Sequence, residues 1–146
     1  MLGMPKPLLC PPELLRRDLT GRRVIVTGAN SGIGFVTAKQ LAKQGASVTL
    51  ACRNEAEGEA KANEIRAEVP AADLEMRNLD LGDLSSVRAF AERYLAEHDS
   101  LHLLINNAGV MNTPLAKTAD GFESQIGVNH LGHFLLTELL LDLLKE

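Results

Sequence analysis

From Arg22 onward, apolar and polar positions fall into blocks that fit a repeated strand-then-helix unit. Val24, Ile25 and Val26 form a short unbroken apolar run ending at Thr27 and Gly28, the pattern of a strand buried on both faces. A helix is expected from about Ile33 to Gln44, with Ile33, Val36, Thr37 and Leu41 on its inward face and Gly45 as its stop. The unit then recurs. Ser47 to Ala51 reads as a second strand, and Asn54 with Glu57 three residues on resembles a capping box, opening a helix that Pro70 closes. Leu74 to Leu79 is a third, weaker strand. Asp83 can cap a helix carrying Leu84, Val87, Ala91, Tyr94 and Leu95 at helical spacing. Leu101 to Ile105 makes a fourth strand, a loop runs from Gly109 to about Ala119, and a last helix begins near Asp120 and is still running at Glu146.

Strands alternating with helices at this spacing predict an α/β fold with a parallel sheet and right-handed crossovers, hence a doubly wound layer. Residues 1–20 stand apart as a proline-rich arm with one short helical piece around Glu13 to Asp18, and residues 21–146 form one domain. Composition changes this picture little: 45% hydrophobic and 23% charged residues are ordinary for a soluble globular chain. The net charge of −4 leaves no basic footprint for nucleic acid or an anionic membrane. Pro5, Pro7, Pro11 and Pro12 break up the apolar residues near the start, so neither a signal peptide nor a membrane anchor is expected there, and a cytoplasmic location is the default. Cys10 and Cys52 lie in dissimilar contexts, argue for no secretion and form no metal-ligand pair. His130 and His133 share the last helix without a third ligand, so no metal site is expected.

The candidate chemistry begins at the first strand-to-helix turn, Thr27-Gly28-Ala29-Asn30-Ser31-Gly32-Ile33-Gly34. Gly28 permits a tight turn, Gly32 lets the backbone approach a pyrophosphate, and Gly34 lets the helix pack close to the strand. The helix N-terminus then offers N–H groups and a positive dipole to phosphates. Three more motifs follow on later elements: Asp80-Leu81 after the third strand, Asn106-Asn107-Ala108-Gly109 after the fourth, and Asn129 within the last helix.

Together these four motifs, in this order, resemble the short-chain dehydrogenase/reductase family from about Gly21 to Glu146. The resemblance implies a Rossmann-type sheet in spatial order 3-2-1-4. It implies a dinucleotide cofactor held by Gly28, Asn30, Ser31, Gly32, Ile33, Gly34, Arg53, Asn54, Asp80, Leu81, Asn107, Ala108 and Gly109. Asn129 falls where the family has its structural and catalytic asparagine. In this fold an acid at the end of the second strand binds the ribose hydroxyls of NAD, whereas an arginine accommodates the 2′-phosphate of NADP. Here the strand ends Ala51-Cys52-Arg53-Asn54, so NADP is favoured over NAD.

The run from Gly127 to Thr137, with Ala51 to Asn54 and Asp120 to Glu123, resembles the branch that includes retinol dehydrogenases, the WW-domain oxidoreductase and protochlorophyllide-reductase-like proteins. Retinol enzymes of that branch commonly carry an N-terminal anchor, which is not expected here. Family members transfer hydride between a nicotinamide and a carbonyl or alcohol, using a serine and a Tyr-x-x-x-Lys. The one tyrosine here, Tyr94, is followed four residues later by His98 and lies on an apolar helical stripe, which reads as packing. The resemblance therefore implies the cofactor-binding half of such an enzyme, its catalytic serine, tyrosine and lysine falling beyond Glu146. The alternative is a non-catalytic nucleotide-binding or dimerisation module. The leucine-rich last helix presents apolar residues on more than one face, which suits a homo-oligomer contact.

Overall fold

The computed structural model describes residues 10–145. The first nine residues of the expected arm, and Glu146, lie outside them. Four parallel strands, β1 (Arg23–Thr27), β2 (Ser47–Cys52), β3 (Leu74–Asn78) and β4 (Leu103–Ile105), lie in the order β3-β2-β1-β4. Val24 pairs with Val48 on one side and Leu103 on the other, and Val48 pairs with Leu74. The helices are α1 (Gly32–Lys43), α2 (Glu55–Glu68), α3 (Leu84–Glu97), a single turn α4 (Ser124–Ile126) and α5 (His133–Lys145), with a π-helical segment over Gly127–Gly132 between the last two.

Strand alternation divides the core into two layers. Val24, Val26, Val48 and Leu50 point to the face covered by α1 and α2, where they meet Ala38, Ala42, Ala62 and Ile65. Ile25 points the other way, toward Val87, Phe90 and Tyr94 of α3 and Leu136 and Leu140 of α5. Both sides of β1 and β2 are therefore covered, as the continuous apolar run of β1 requires. β4 pairs with β1 alone among the described strands and leaves one edge open. No helix among the described residues is long and apolar enough to cross a membrane.

Three expectations about helices are corrected. The inward face of α1 is Gly34, Ala38 and Ala42, while Ile33 is 80% exposed and Val36 60% exposed. A helix lying this close to a sheet needs its smallest residues at the contact, so Ile33 and Val36 turn outward, while Leu41 packs against the core as expected. On α3, Phe90 is buried and Leu95 is exposed. The last helical stretch starts at Ser124, not near Asp120. Glu123 caps it by accepting from the N–H groups of Gln125 and Ile126, and Asp120 reaches back to the N–H of Leu84. The described end of the arm docks on α1: Gln44 donates to the carbonyls of Leu14 and Arg17, and Gln40 to that of Leu15.

Candidate functional site

Parallel strands deliver all their C-terminal ends to one edge of the sheet, and the loops there surround a cleft of about 780 Å³. Its floor is the turn after β1. A Cβ at Gly28 would lie 2.9 Å from the Cα of Ala108, and one at Gly34 would overlap the carbonyl oxygen of Gly28 and the Asn107 amide. These glycines let α1, β1 and the loop after β4 close on one another. Gly32 differs: its φ is +53° and the space where a Cβ would stand is open. No side chain caps the start of α1, which leaves its first N–H groups facing the cleft. A loop with a bare helix start and clear space above Gly32 fits the pyrophosphate of a dinucleotide.

The remaining walls come from the other strand ends. Arg53 and Asn54 follow β2, Asp80 and Leu81 follow β3, and Asn107, Ala108 and Gly109 follow β4; every one of them lines the cleft, as do Asn30, Ser31 and Ile33. All thirteen residues expected to hold a cofactor thus converge on one site. Asp80 also stiffens its own turn, with Oδ1 accepting from the N–H of Gly82 at 2.8 Å.

Below the cleft floor, one hydroxyl joins three motifs. Thr27 Oγ1 accepts from the N–H groups of Asn107 and Ala108, each at 2.9 Å, and lies 2.8 Å from Nε2 of His133. His133 Nδ1 faces the carbonyl of Asn129 at 3.2 Å, which can only accept. The proton therefore sits on Nδ1, and Thr27 donates to Nε2. Asn107 Nδ2 closes the ring by donating to the Thr27 carbonyl.

Asn129 lies outside the cleft lining. Its amide grips the Val110 backbone, donating to the carbonyl and accepting from the N–H, both at 2.8 Å. Both ends of the side chain are engaged, so in this chain it positions the loop after β4. The π segment carries it there, pressed so close to the turn after β3 that a Cβ on Gly132 would overlap the Leu81 carbonyl oxygen. Asn106 is on the far side, donating to Thr137.

Sequence reasoning did not place Glu57, Val110 or Val128 at the cleft, though they line it. Glu57 had a visible signal in its spacing from Asn54, but one that pointed only to capping. Tyr94 is a core residue, 1% exposed, and burial pushes its phenol above the usual range. Among the described residues, Glu75, Glu97 and His98 are grouped closely enough to suggest a metal. The Arg77 guanidinium already sits there, paired with both glutamates.

His133 gives the site a pH signature. It is 6% exposed, and burial holds its pKa below the usual 6.5. The unfolded chain therefore takes up a proton that the folded chain refuses, so stability is complete above about pH 6.5 and falls as pH drops through that value. The denaturant midpoint is expected to decline between about pH 7.5 and 5.5, and His133→Gln is expected to flatten that slope. Parallel profiles for the two proteins in urea titrations would refute the assignment.

Comparison with known proteins agrees with this geometry. A family model described as short chain dehydrogenase matches residues 22–146. Retinol dehydrogenase 12 of Mus musculus is 59% identical over 129 residues, covering 88% of this chain and 41% of that protein. A crystal structure of an uncharacterised Mycobacterium paratuberculosis protein is 52% identical, with a TM-score of 0.78 over 87% of this chain and 44% of that one. A short chain dehydrogenase from Shigella flexneri 2a, complexed with NADP, is 27% identical with a TM-score of 0.74, covering 88% and 55%. The chain spans about two-fifths of the length of the curated relatives it matches. Family match, sheet order and the convergence of the motifs lead to one conclusion: the chain belongs to the short chain dehydrogenase family, on its retinol dehydrogenase branch.

Proposed function

We propose that this chain is the cofactor-binding part of an oxidoreductase that uses NADP(H) to interconvert an alcohol and a carbonyl compound. The observation that carries the cofactor preference is Arg53. It stands at the tip of β2, lines the cleft, and its side chain makes no hydrogen bond or ion pair with any described residue. Only its backbone carbonyl is used, accepting from Asn78. A guanidinium in that position, with no acid beside it at the strand tip, suits a 2′-phosphate. The NADP complex of the Shigella relative supports the same choice.

In this reading, Gly28, Gly32 and the start of α1 hold the pyrophosphate, and Asp80 and Leu81 flank the adenine. Asn107, Ala108 and Gly109 shape the floor toward the nicotinamide end. The bound cofactor supplies the hydride. Names among the relatives favour an apolar alcohol or aldehyde of the retinol kind as substrate. The deciding measurement is calorimetric titration of the 146-residue chain. NADP(H) is expected to bind more tightly than NAD(H), and Arg53→Ala to remove about 1.5–3 kcal/mol from NADP(H) binding alone. Equal affinities for the two cofactors, or an Arg53→Ala variant that binds like its parent, would sink the assignment.

One observation favours a second reading, a non-catalytic nucleotide-binding or dimerisation module. The single tyrosine of these 146 residues is buried against α5 and offers no proton donor at the cleft. NADPH oxidation with a panel of aldehydes and ketones tests the second reading alone: turnover by this chain excludes it, and none is expected of the cofactor-binding part by itself.

A further inference from the structure

The acid missing from the tip of β2 has a counterpart one turn into the next helix. Glu57 is the third residue of α2, whose cap is Asn54, and it lines the same cleft as Arg53. In a capping box its carboxylate would turn back to the N–H of the cap residue. The structure sends it elsewhere. Oε1 accepts from Asn54 Nδ2 at 3.0 Å and Oε2 from Asn30 Nδ2 at 2.9 Å. Asn30 belongs to the glycine loop, so the carboxylate bridges that loop and α2 at the adenosine end of the cleft. Both partners are neutral amides, which fix the carboxylate without neutralising its charge.

We propose that Glu57 is a specificity-determining residue that works against Arg53. It is a fixed negative charge that opposes a 2′-phosphate and offers an acceptor to a free 2′-hydroxyl. The inference rests on the cleft being a dinucleotide site, as argued under Proposed function. Arg53 draws a dianionic phosphate into this corner, and Glu57 repels the same group. Its two hydrogen bonds to Asn30 and Asn54, exposed to water, favour this position of the carboxylate at modest strength. The chain then discriminates between the two dinucleotides less sharply than Arg53 alone would dictate, and it retains a usable affinity for NAD(H).

The test is Glu57→Gln and Glu57→Lys in the 146-residue chain. Each is titrated calorimetrically with NADP(H), NAD(H), adenosine 2′,5′-bisphosphate and 5′-AMP. Removing the charge is expected to raise affinity for the two 2′-phosphorylated ligands by about three- to ten-fold at low ionic strength, with the gain shrinking at about 0.5 M salt. Glu57→Lys is expected to gain more. NAD(H) and 5′-AMP are expected to bind unchanged or more weakly. If both variants weaken all four ligands alike, Glu57 is only a strut for Asn30 and the proposal fails. An unaltered ratio of affinities in both variants also overturns it, while leaving the dinucleotide site intact. Should the parent chain bind none of the four, the cleft reading falls and this inference with it.

Discussion

Thr27→Val is expected to destabilise the chain by about 3–5 kcal/mol, the largest loss from any single substitution around the cleft. Valine matches threonine in shape and in strand preference, so the change isolates the hydroxyl. That oxygen accepts from two backbone N–H groups and donates to a buried histidine. Its removal leaves the N–H of Ala108 and the Nε2 of His133 without partners, while the N–H of Asn107 keeps only the Ile105 carbonyl. Each deserted group costs roughly 1–3 kcal/mol where water cannot reach it. Ala108 lies in the loop after β4 and His133 at the start of α5, so the two should loosen together. Urea unfolding of the two proteins at pH 7.5 measures the difference. A loss below about 1 kcal/mol would show that the network contributes little.

The second large effect is expected at Gly34. Gly34→Ala places a Cβ inside contact distance of the Gly28 carbonyl oxygen and the Asn107 amide, with the Gly28 carbonyl carbon at 3.0 Å. Two of these are backbone atoms, and the Asn107 amide is held by its bond to the Thr27 carbonyl, so the start of α1 must move off the turn. An overpacked contact of this kind costs about 1–3 kcal/mol, and the shift also opens the floor of the dinucleotide site. Gly32→Ala is the matched control. Its Cβ meets nothing, and its cost is only the left-handed backbone, about 1–2 kcal/mol. Both variants are expected to lose dinucleotide affinity, Gly34→Ala by distorting the site and Gly32→Ala by occupying it. Melting temperature separates them. Gly34→Ala should fall further, and a reversed order would contradict the packing described here.

Strand positions were legible in the sequence because β1 and β2 are covered on both faces: Val24-Ile25-Val26 is unbroken apolarity, and the run from Val48 to Ala51 is interrupted only by a β-branched, buried Thr49. The cleft was legible because its motifs sit on strand ends that a parallel sheet brings to one edge. The face of α1 was not. Periodicity weights large apolar residues such as Ile33 and Val36, whereas contact with the sheet selects Gly34, Ala38 and Ala42 for their size. The π segment left no trace because Gly127 to Gly132 suits an ordinary helix equally well, and its geometry is set by the close approach of Gly132 to Leu81. Glu57 was hidden for another reason. Its spacing from Asn54 announces a helix cap, and only the fold shows that Asn30 stands opposite.

The strand order also sets a timetable for folding. The β2–β3 junction joins residues only 25 apart, such as Arg53 and Asn78, through one compact βαβ unit. Bringing β1 against β4 joins Thr27 to Asn107, 80 residues away, and carries the larger loop-closure entropy. The cleft floor is made of this long-range contact, so the dinucleotide site is expected to assemble after the β2–β3 unit. Contacts absent from the transition state govern the rate of unfolding rather than that of folding. A bound dinucleotide is therefore expected to prolong the lifetime of the native chain and to leave its refolding rate nearly unchanged.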